Sequence, residues 1–283
     1  MSKILWDQVG EHYYETGTKQ GVLYVQNASG AYPEGVAWNG LTAVNESPEG
    51  AEANDIYADD IKYLTLRSAE NFKATIEAYT YPEEFEECDG SRSLITGVTI
   101  GMQPRKSFGF SYVTTLGNDT LLDSYGYKIH CIYGASASPS EKSYQTINDS
   151  PEAISFSWEV DTIPVPVTGY KATSHLIIDS SKVTAAQLAA IEDVLYGTDA
   201  QEAQDAVYAA TTDETPQTGT TYYTRSGAGT AQSPYVYTEF EGTTFASGTT
   251  YYVMTKPAVP AKTASTARLP LPDEILSIIQ AAS

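Results

Sequence analysis

The stretch AISFSWEV, residues 153–160, decides the fold class. Ile154, Phe156, Trp158 and Val160 fall on one side of an extended chain; Ala153, Ser155, Ser157 and Glu159 fall on the other. A period of two marks a strand with one apolar and one wet face. The pattern recurs upstream. In 127–133, Tyr127, Ile129, Cys131 and Tyr133 oppose Lys128, His130 and Ile132. In 73–79, Ala74, Ile76 and Ala78 oppose Lys73, Thr75, Glu77 and Tyr79. Further strands are expected at 21–26, 35–43, 61–66, 94–100, 107–114 and 170–178. Turn signals separate them at SPEG (47–50), CDG (88–90) and LGND (116–119). Strands of this kind suit an antiparallel sheet with one side solvated.

After these strands comes a helix. Thr184 is its N-cap, Gln187 completes a capping box, and Val183 and Leu188 form a hydrophobic staple. Leu188, Ile191 and Leu195 make the apolar stripe, and Gly197 is the stop. A second helix is expected at 273–281, opened by Pro272, with Ile275, Ile278 and Ile279 on one face. Between the helices, residues 199–264 turn rich in Thr, Gly, Ala and Tyr. GTTYY occurs at 219–223 and again at 248–252, each copy reading as a strand entered from a Gly turn, with YVYTEF (235–240) as partner. This is one small β module, entered through an Ala-rich segment (199–211) and left through a Pro/Ala/Thr linker (257–267). The expected organisation is a β domain over 1–198, completed by 265–283, and an inserted Tyr/Thr-rich module at 199–264.

Sixteen basic against thirty-six acidic residues give the 283-residue chain a formal charge of −20. That charge disfavours binding to nucleic acid phosphates or to an anionic membrane. The module contributes seven acidic and three basic residues, net −4, so the larger domain carries most of the charge. No stretch reaches the ~18 apolar residues of a membrane helix. The start, MSKILWDQVGEHYYETG, lacks the apolar core and cleavage site of a secretory signal. Cys88 and Cys131 read as free thiols in a reducing compartment, with a bridge between them left open. Tyrosine outnumbers phenylalanine 22 to 7. This excess fits contacts between chains, and equally the ordinary preference of strands for aromatics.

Catalytic signals are poor. Phosphate-cradling glycine loops, H-E-x-x-H and G-x-S-x-G are missing from the sequence, and no constellation supports a hydrolase. His12, His130 and His175 are far apart in sequence and read as surface or interface residues, not as ligands. The acidic groups at 82–90, at Asp55, Asp59 and Asp60, and at Asn118, Asp119 and Asp123 match no Ca²⁺ loop and read as solvated or lumen-facing charge. Arg105 and Lys106 are expected to meet a neighbour's acidic patch. No cofactor or metal is expected.

A long ordered series of stretches resembles the major tail (tail tube) proteins of siphophages that infect Gram-positive bacteria. They are ETGTKQGVLYV (15–25), GAYPEGVAWNGLTAVNESPEGAE (30–52), ADDIKYL (58–64), ATIEAYTYPEEFEECDG (74–90), GVTIGMQPRKSFGFSY (97–112), GYKIHCIYGA (126–135), SPSEKSYQTINDSPEAISFSWEV (138–160), PVPVTGYKATSHLIIDSSKV (164–183) and RLPLPDEI (268–275). The resemblance covers nearly all of 1–197 and the C-terminal tail. It departs at 199–264, where the family runs by a short connection from helix to tail. The resemblance implies a mainly β, antiparallel sandwich or barrel-like fold with a flanking helix. It also implies sixfold rings that stack into a tube, and no catalytic residues. The implied partners are the chain itself, a tape-measure protein and later DNA in the lumen, and tail tip and terminator proteins. The implied location is the virion tail, after assembly in the host cytoplasm.

Two surfaces are candidates for function. Residues 45–60 are long, polar and flanked by strands. They are read either as a loop reaching the next ring, through Asn45, Glu46, Glu49, Glu52, Asp55, Asp59 and Asp60, or as an ordinary surface loop. In the insert, Tyr222, Tyr223, Tyr235, Tyr237, Tyr251 and Tyr252 either present aromatic platforms to a host glycan or, for half of them, pack the module's own core.

Overall fold

The computed structural model describes residues 4–140, 142–144, 146 and 153–282. The chain is mainly β, 46% strand and 10% helix, with antiparallel sheets, so the fold class read from the period-two pattern holds. It divides into two compact units, 1–198 with 265–283, and 199–264.

The larger unit opens with β1 (Tyr13–Val25), β2 (Gly35–Trp38) and β3 (Leu41–Glu46). Then come β4 (Glu49–Gly50), β5 (Ala53–Ala58), β6 (Ile61–Arg67), β7 (Glu70–Asn71) and β8 (Lys73–Ala78). A 3-10 turn (Glu83–Phe85) and a four-residue helix α1 (Glu86–Asp89) precede β9 (Arg92–Ile95) and β10 (Val98–Ile100). The long strands β11 (Phe108–Asn118) and β12 (Leu122–Ala137) follow, with β13 (Phe156–Thr162), β14 (His175–Asp179) and helix α2 (Ala185–Leu195) after them. Four expected strands differ. The 153–160 run becomes a strand only at Phe156, leaving Ile154 exposed, the 35–43 run breaks at Asn39–Gly40, the 94–100 run folds back at Gly97 (φ +82°), and the last strand starts at His175. Glycine in the left-handed region turns a chain that alternation alone would carry straight on.

The main sheet runs β2-β1-β11-β12-β13-β8-β3, with β14 also paired to β12. Its two edges, β2 and β3, are joined in sequence by only Asn39 and Gly40. A two-residue link between opposite edges requires the sheet to curl until they meet, which gives the barrel-like form. The sheet also forks along β12. Residues 128–132 pair with β14, whereas 135–137 pair with β13. Gly134 sits at the fork with φ +60°; a Cβ there would lie 2.1 Å from the Ile163 carbonyl oxygen. Only glycine fits both the conformation and the space.

The fork explains why β11 and residues 129–137 of β12 are largely buried on both faces, and not wet on one as expected. The curled branch encloses Leu23, Trp38, Ile76, Phe85, Phe108, Phe110, Ile132 and Trp158. Its rings pack closely, Trp38 and Phe85 tilted with centroids 4.6 Å apart and Phe85 and Trp158 edge to face at 5.1 Å. The opposite face buries Val22, Tyr24, Val113, Ile129, Cys131 and Tyr133 beneath α2 and the C-terminal helix α3, introduced below. One-sided alternation survives in β8 and β13, where Ser157, Glu159 and Asp161 are exposed while Trp158 and Val160 are buried.

Helix α2 has the predicted capping box, with the Thr184 amide donating to Gln187 Oε1 at 2.9 Å, and it buries Ile191 and Leu195. The 82–90 acidic run is an anchored turn and not simply solvated charge. Phe85 and Cys88 are fully buried, and Lys142 reaches the buried Asp89 at 2.9 Å. Arg105 and Lys106 are satisfied within the chain, by the Ala137 carbonyl and by Glu87. Cys88 and Cys131 are both free, and burial pushes each thiol up to about 12.

The insert is a four-stranded sheet made of β15 (Val207–Ala210), β16 (Tyr222–Ser226), β17 (Val236–Phe240) and β18 (Tyr251–Lys256), in the order β15-β18-β16-β17. The two GTTYY copies lead into β16 and β18 and pair with each other, so YVYTEF joins only the first. The Ala-rich entry supplies β15. The chain closes in the larger unit with α3 (Pro272–Ala281), which carries Pro at its start and buries Ile275.

Candidate functional site

Residues 41–78 form one continuous antiparallel excursion. Strands β3 and β8 pair within the main sheet, β4 pairs β7, and β5 pairs β6 out to Ala58↔Ile61. The polar loop expected at 45–60 is therefore one side of a two-stranded arm. Its tip is a two-residue turn in which Asp59 (φ +50°) and Asp60 (φ +65°) are both left-handed, as a hairpin turn requires. The signal was present: Ile56 and Ala58 alternate before the Asp-Asp pair, and Ile61 and Tyr63 after it.

The candidate residues of 45–60 separate along this arm. Asn45 and Glu46 belong to the sheet and not to a loop; Asn45 donates to Glu77 at 3.1 Å. Glu49 pairs with Lys73 at 2.9 Å, and the Glu52 amide donates to Ser68 Oγ at 3.1 Å. Asp55 accepts from Thr65 at 2.6 Å and meets Lys62 at 2.8 Å. Exposed pairs such as these orient the strands more than they stabilise them. What the reading missed is apolar. Ile56, Leu64 and Leu66 share one face of the arm and remain 38%, 36% and 54% exposed. Tyr57, Ile61 and Tyr63 are also exposed. A second short hairpin, β9–β10, exposes Leu94, Ile95, Val98 and Ile100. Two-stranded hairpins are marginal alone, and contiguous apolar surface of this kind marks a contact site.

At the root of the arm lies a polar cluster. Glu46 of β3 meets His130 of β12 and His175 of β14. His130 Nδ1 lies 3.2 Å from His175 Nε2, and Glu46 Oε1 lies 3.6 Å from His130 Nδ1 and 3.4 Å from His175 Nε2. Tyr112 donates its hydroxyl to the same Glu46 oxygen. The His130 ring stacks on Tyr112 with centroids 4.6 Å apart, and Phe72 lies against His175 at 4.8 Å. The histidines were expected at the surface or at an interface and not as ligands, but His130 is only 7% exposed within its own chain. Strand pairing brings together residues that the sequence holds 45 and more apart. Burial pushes the Glu46 carboxyl up, but hydrogen bonds from His130 and Tyr112 outweigh it and hold the group at about 2. Burial lowers His175, against the pull of the Glu46 charge. Among the described residues, these three form the one group of His, Cys, Asp or Glu whose donor atoms converge as metal ligands would.

In the insert, three of the six candidate tyrosines, Tyr222, Tyr251 and Tyr252, are buried, so the set is not an exposed platform. Tyr222 and Tyr251 pack with Phe240 and Phe245 on one face. On the other face Tyr237 stacks on Tyr208 at 3.9 Å, and Arg225 lies over Tyr235 and Tyr252 at 4.2 and 4.8 Å. Of the six, Tyr235 is the most exposed.

Among the described residues no helix is long and apolar enough to cross a membrane. Comparison with protein-family models finds no match, and neither does comparison with curated proteins.

Proposed function

We propose that this chain is a structural, non-catalytic subunit that assembles with copies of itself into stacked rings, a phage tail tube conducting DNA. The observation that carries this reading is the arm. It is a twelve-residue-per-strand extension of β3 and β8 whose apolar stripe of Ile56, Leu64 and Leu66 stays 36–54% exposed among the described residues. A neighbouring copy supplies cover for every arm in turn, because a head-to-tail contact repeated around an axis closes a ring or extends a filament. The resemblance along 1–197 supports the same assignment, with a tape-measure protein and then DNA in the lumen and tip and terminator proteins at the ends. The acidity fits a bore that DNA slides through without sticking, since carboxylates repel phosphate and release no counterions.

Negative-stain microscopy and light scattering of the purified chain at high concentration test the proposal. Rings or tubes are expected. Excising 53–67 and closing the arm with a two-residue turn removes both strands together, so neither is left unpaired. This variant is expected to fold and to form no tubes. A wild-type chain that stays a monomer even with a native tail tip to nucleate it, or normal tubes from the excised variant, overturns the reading.

A second reading rests on the Tyr208–Tyr237 stack and the Arg225–Tyr235 contact in the insert. Partly exposed rings of this kind stack on sugars, which would make the insert a glycan-binding decoration. Loss of cell adsorption on removing 199–264, with assembly intact, is the outcome that favours it.

A further inference from the structure

We propose that Glu46, His130 and His175 bind one divalent transition-metal ion of the zinc class, fastening the root of the arm to the main sheet. The three facing atoms form a triangle with sides of 3.2, 3.4 and 3.6 Å. Tetrahedral zinc with bonds of about 2.0–2.1 Å spaces its ligand atoms ~3.3 Å apart. The triangle already has that edge, so an ion seats just off its plane without moving a strand. Three protein ligands leave a fourth position for water or an outside group.

The ligand types choose the metal class. Two imidazoles and one carboxylate suit Zn²⁺, Co²⁺ or Ni²⁺, whereas Ca²⁺ and Mg²⁺ take oxygen. The surroundings hold the ligand ring by its far nitrogen. Thr114 Oγ1 gives its single hydrogen to Glu15 and lies 3.0 Å from His130 Nε2, so it can accept the Nε2 hydrogen. Nδ1 is then the nitrogen that faces Glu46 and His175 and that an ion would take in place of a proton. A ligand histidine held through its other nitrogen by a carboxylate-linked acceptor is the usual outer shell of a metal site. Stacking on Tyr112 and packing against Phe72 fix the two rings. A dication on Glu46 is left with one positive charge; Glu15 stands behind His130, 3.5 Å from its Nε2, and is itself paired with Lys128.

The consequence is mechanical. Glu46 is the last residue of β3 before the arm leaves the sheet. The ion ties that point to β12 and β14 at once, so it stiffens the arm where it leaves the wall.

The test uses the full-length chain without a tag, stripped with a chelator and titrated with Zn²⁺ by calorimetry. One ion per chain is expected. His175→Ala and Glu46→Gln are each expected to weaken binding at least tenfold, with circular dichroism confirming the fold. His12→Ala, which removes the one histidine outside the cluster, is expected to leave the isotherm unchanged. Co²⁺ in place of Zn²⁺ should show the intense visible bands of a tetrahedral ion in the wild-type chain and lose them in His175→Ala. Absence of one-to-one binding, an isotherm unchanged by His175→Ala and Glu46→Gln, loss of binding with His12→Ala, or the pale spectrum of octahedral Co²⁺ overturns the proposal. None of these readouts depends on tube formation.

Discussion

The two units of this chain build aromatic cores in opposite ways. In the curled-branch core of the larger unit, rings without hydroxyls meet from distant sequence: Trp38, Phe85, Phe108 and Trp158 converge only once the sheet has curled. In the insert the rings are mostly tyrosines, and their hydroxyls work locally. Tyr222 Oη accepts the Gln217 amide at 3.2 Å, and Tyr251 Oη accepts the Ala246 amide at 3.0 Å. The turns they brace are equivalent, with Thr220 donating to Gln217 and Thr249 to Ala246, each at 3.2 Å. The GTTYY repeat is thus a structural unit in which a glycine turn is closed by the first tyrosine of the strand it feeds. A core made of long-range contacts is cooperative across a whole domain, whereas one braced over five residues owes little to anything outside it.

The largest expected effect breaks the long-range core. Phe85→Ala removes a fully buried ring that touches both Trp38 and Trp158. It should cost about 3–5 kcal/mol. In calorimetry, the transition of the larger unit is expected to move far down while that of the insert stays in place. A joint shift would show that the two units unfold as one.

Smaller is the effect of Tyr251→Phe, which leaves the Ala246 amide without its acceptor. The expected loss is about 1 kcal/mol, confined to the insert and read by near-ultraviolet dichroism of its tyrosines. Excising 199–264 and joining Thr198 to Ser265 should move the midpoint of the larger unit by less than about 4 °C, near 1 kcal/mol for a unit of this size.

The smallest effect is acid. Asp213 is held below the ordinary carboxylate value by hydrogen bonds from Tyr222 at 2.7 Å and Thr211 at 2.8 Å. A carboxylate lowered on folding stabilises above its unfolded value, about 3.9, and that stability fades as pH falls through the lower folded value. The insert's midpoint should therefore drop slightly below about pH 4, and Asp213→Asn should flatten that slope without altering the larger unit's.

The same contrast explains what could be read in advance. Local features were legible: the Thr184–Gln187 capping box, Pro272 opening α3, and the glycine turns of the repeat all act within a few residues. The alternation in 153–160 was legible because one side of β13 stays wet. The same rule failed for β11 and residues 129–137 of β12, because a fork at Gly134 largely covers both their faces, and no local pattern announces a fork. Glu46, His130 and His175 come from three strands, so their meeting depends on register that the sequence does not display. The arm was half legible. Its 61–66 strand and its turn residues were in plain view, but polarity at Glu46, Glu49 and Glu52 drew the eye to a loop and away from the apolar alternation beside them.

Thr198 and Ser265 exchange two backbone hydrogen bonds, at 3.1 and 3.0 Å, and so close the larger unit at the place where the insert leaves and returns. Such a junction is a natural seam for recombination. A guest segment whose ends lie as close together can be gained, lost or exchanged there without rewriting the host fold. The scaffold and its passenger are then free to diverge at separate rates, and a foreign peptide grafted between these two residues would inherit the same independence.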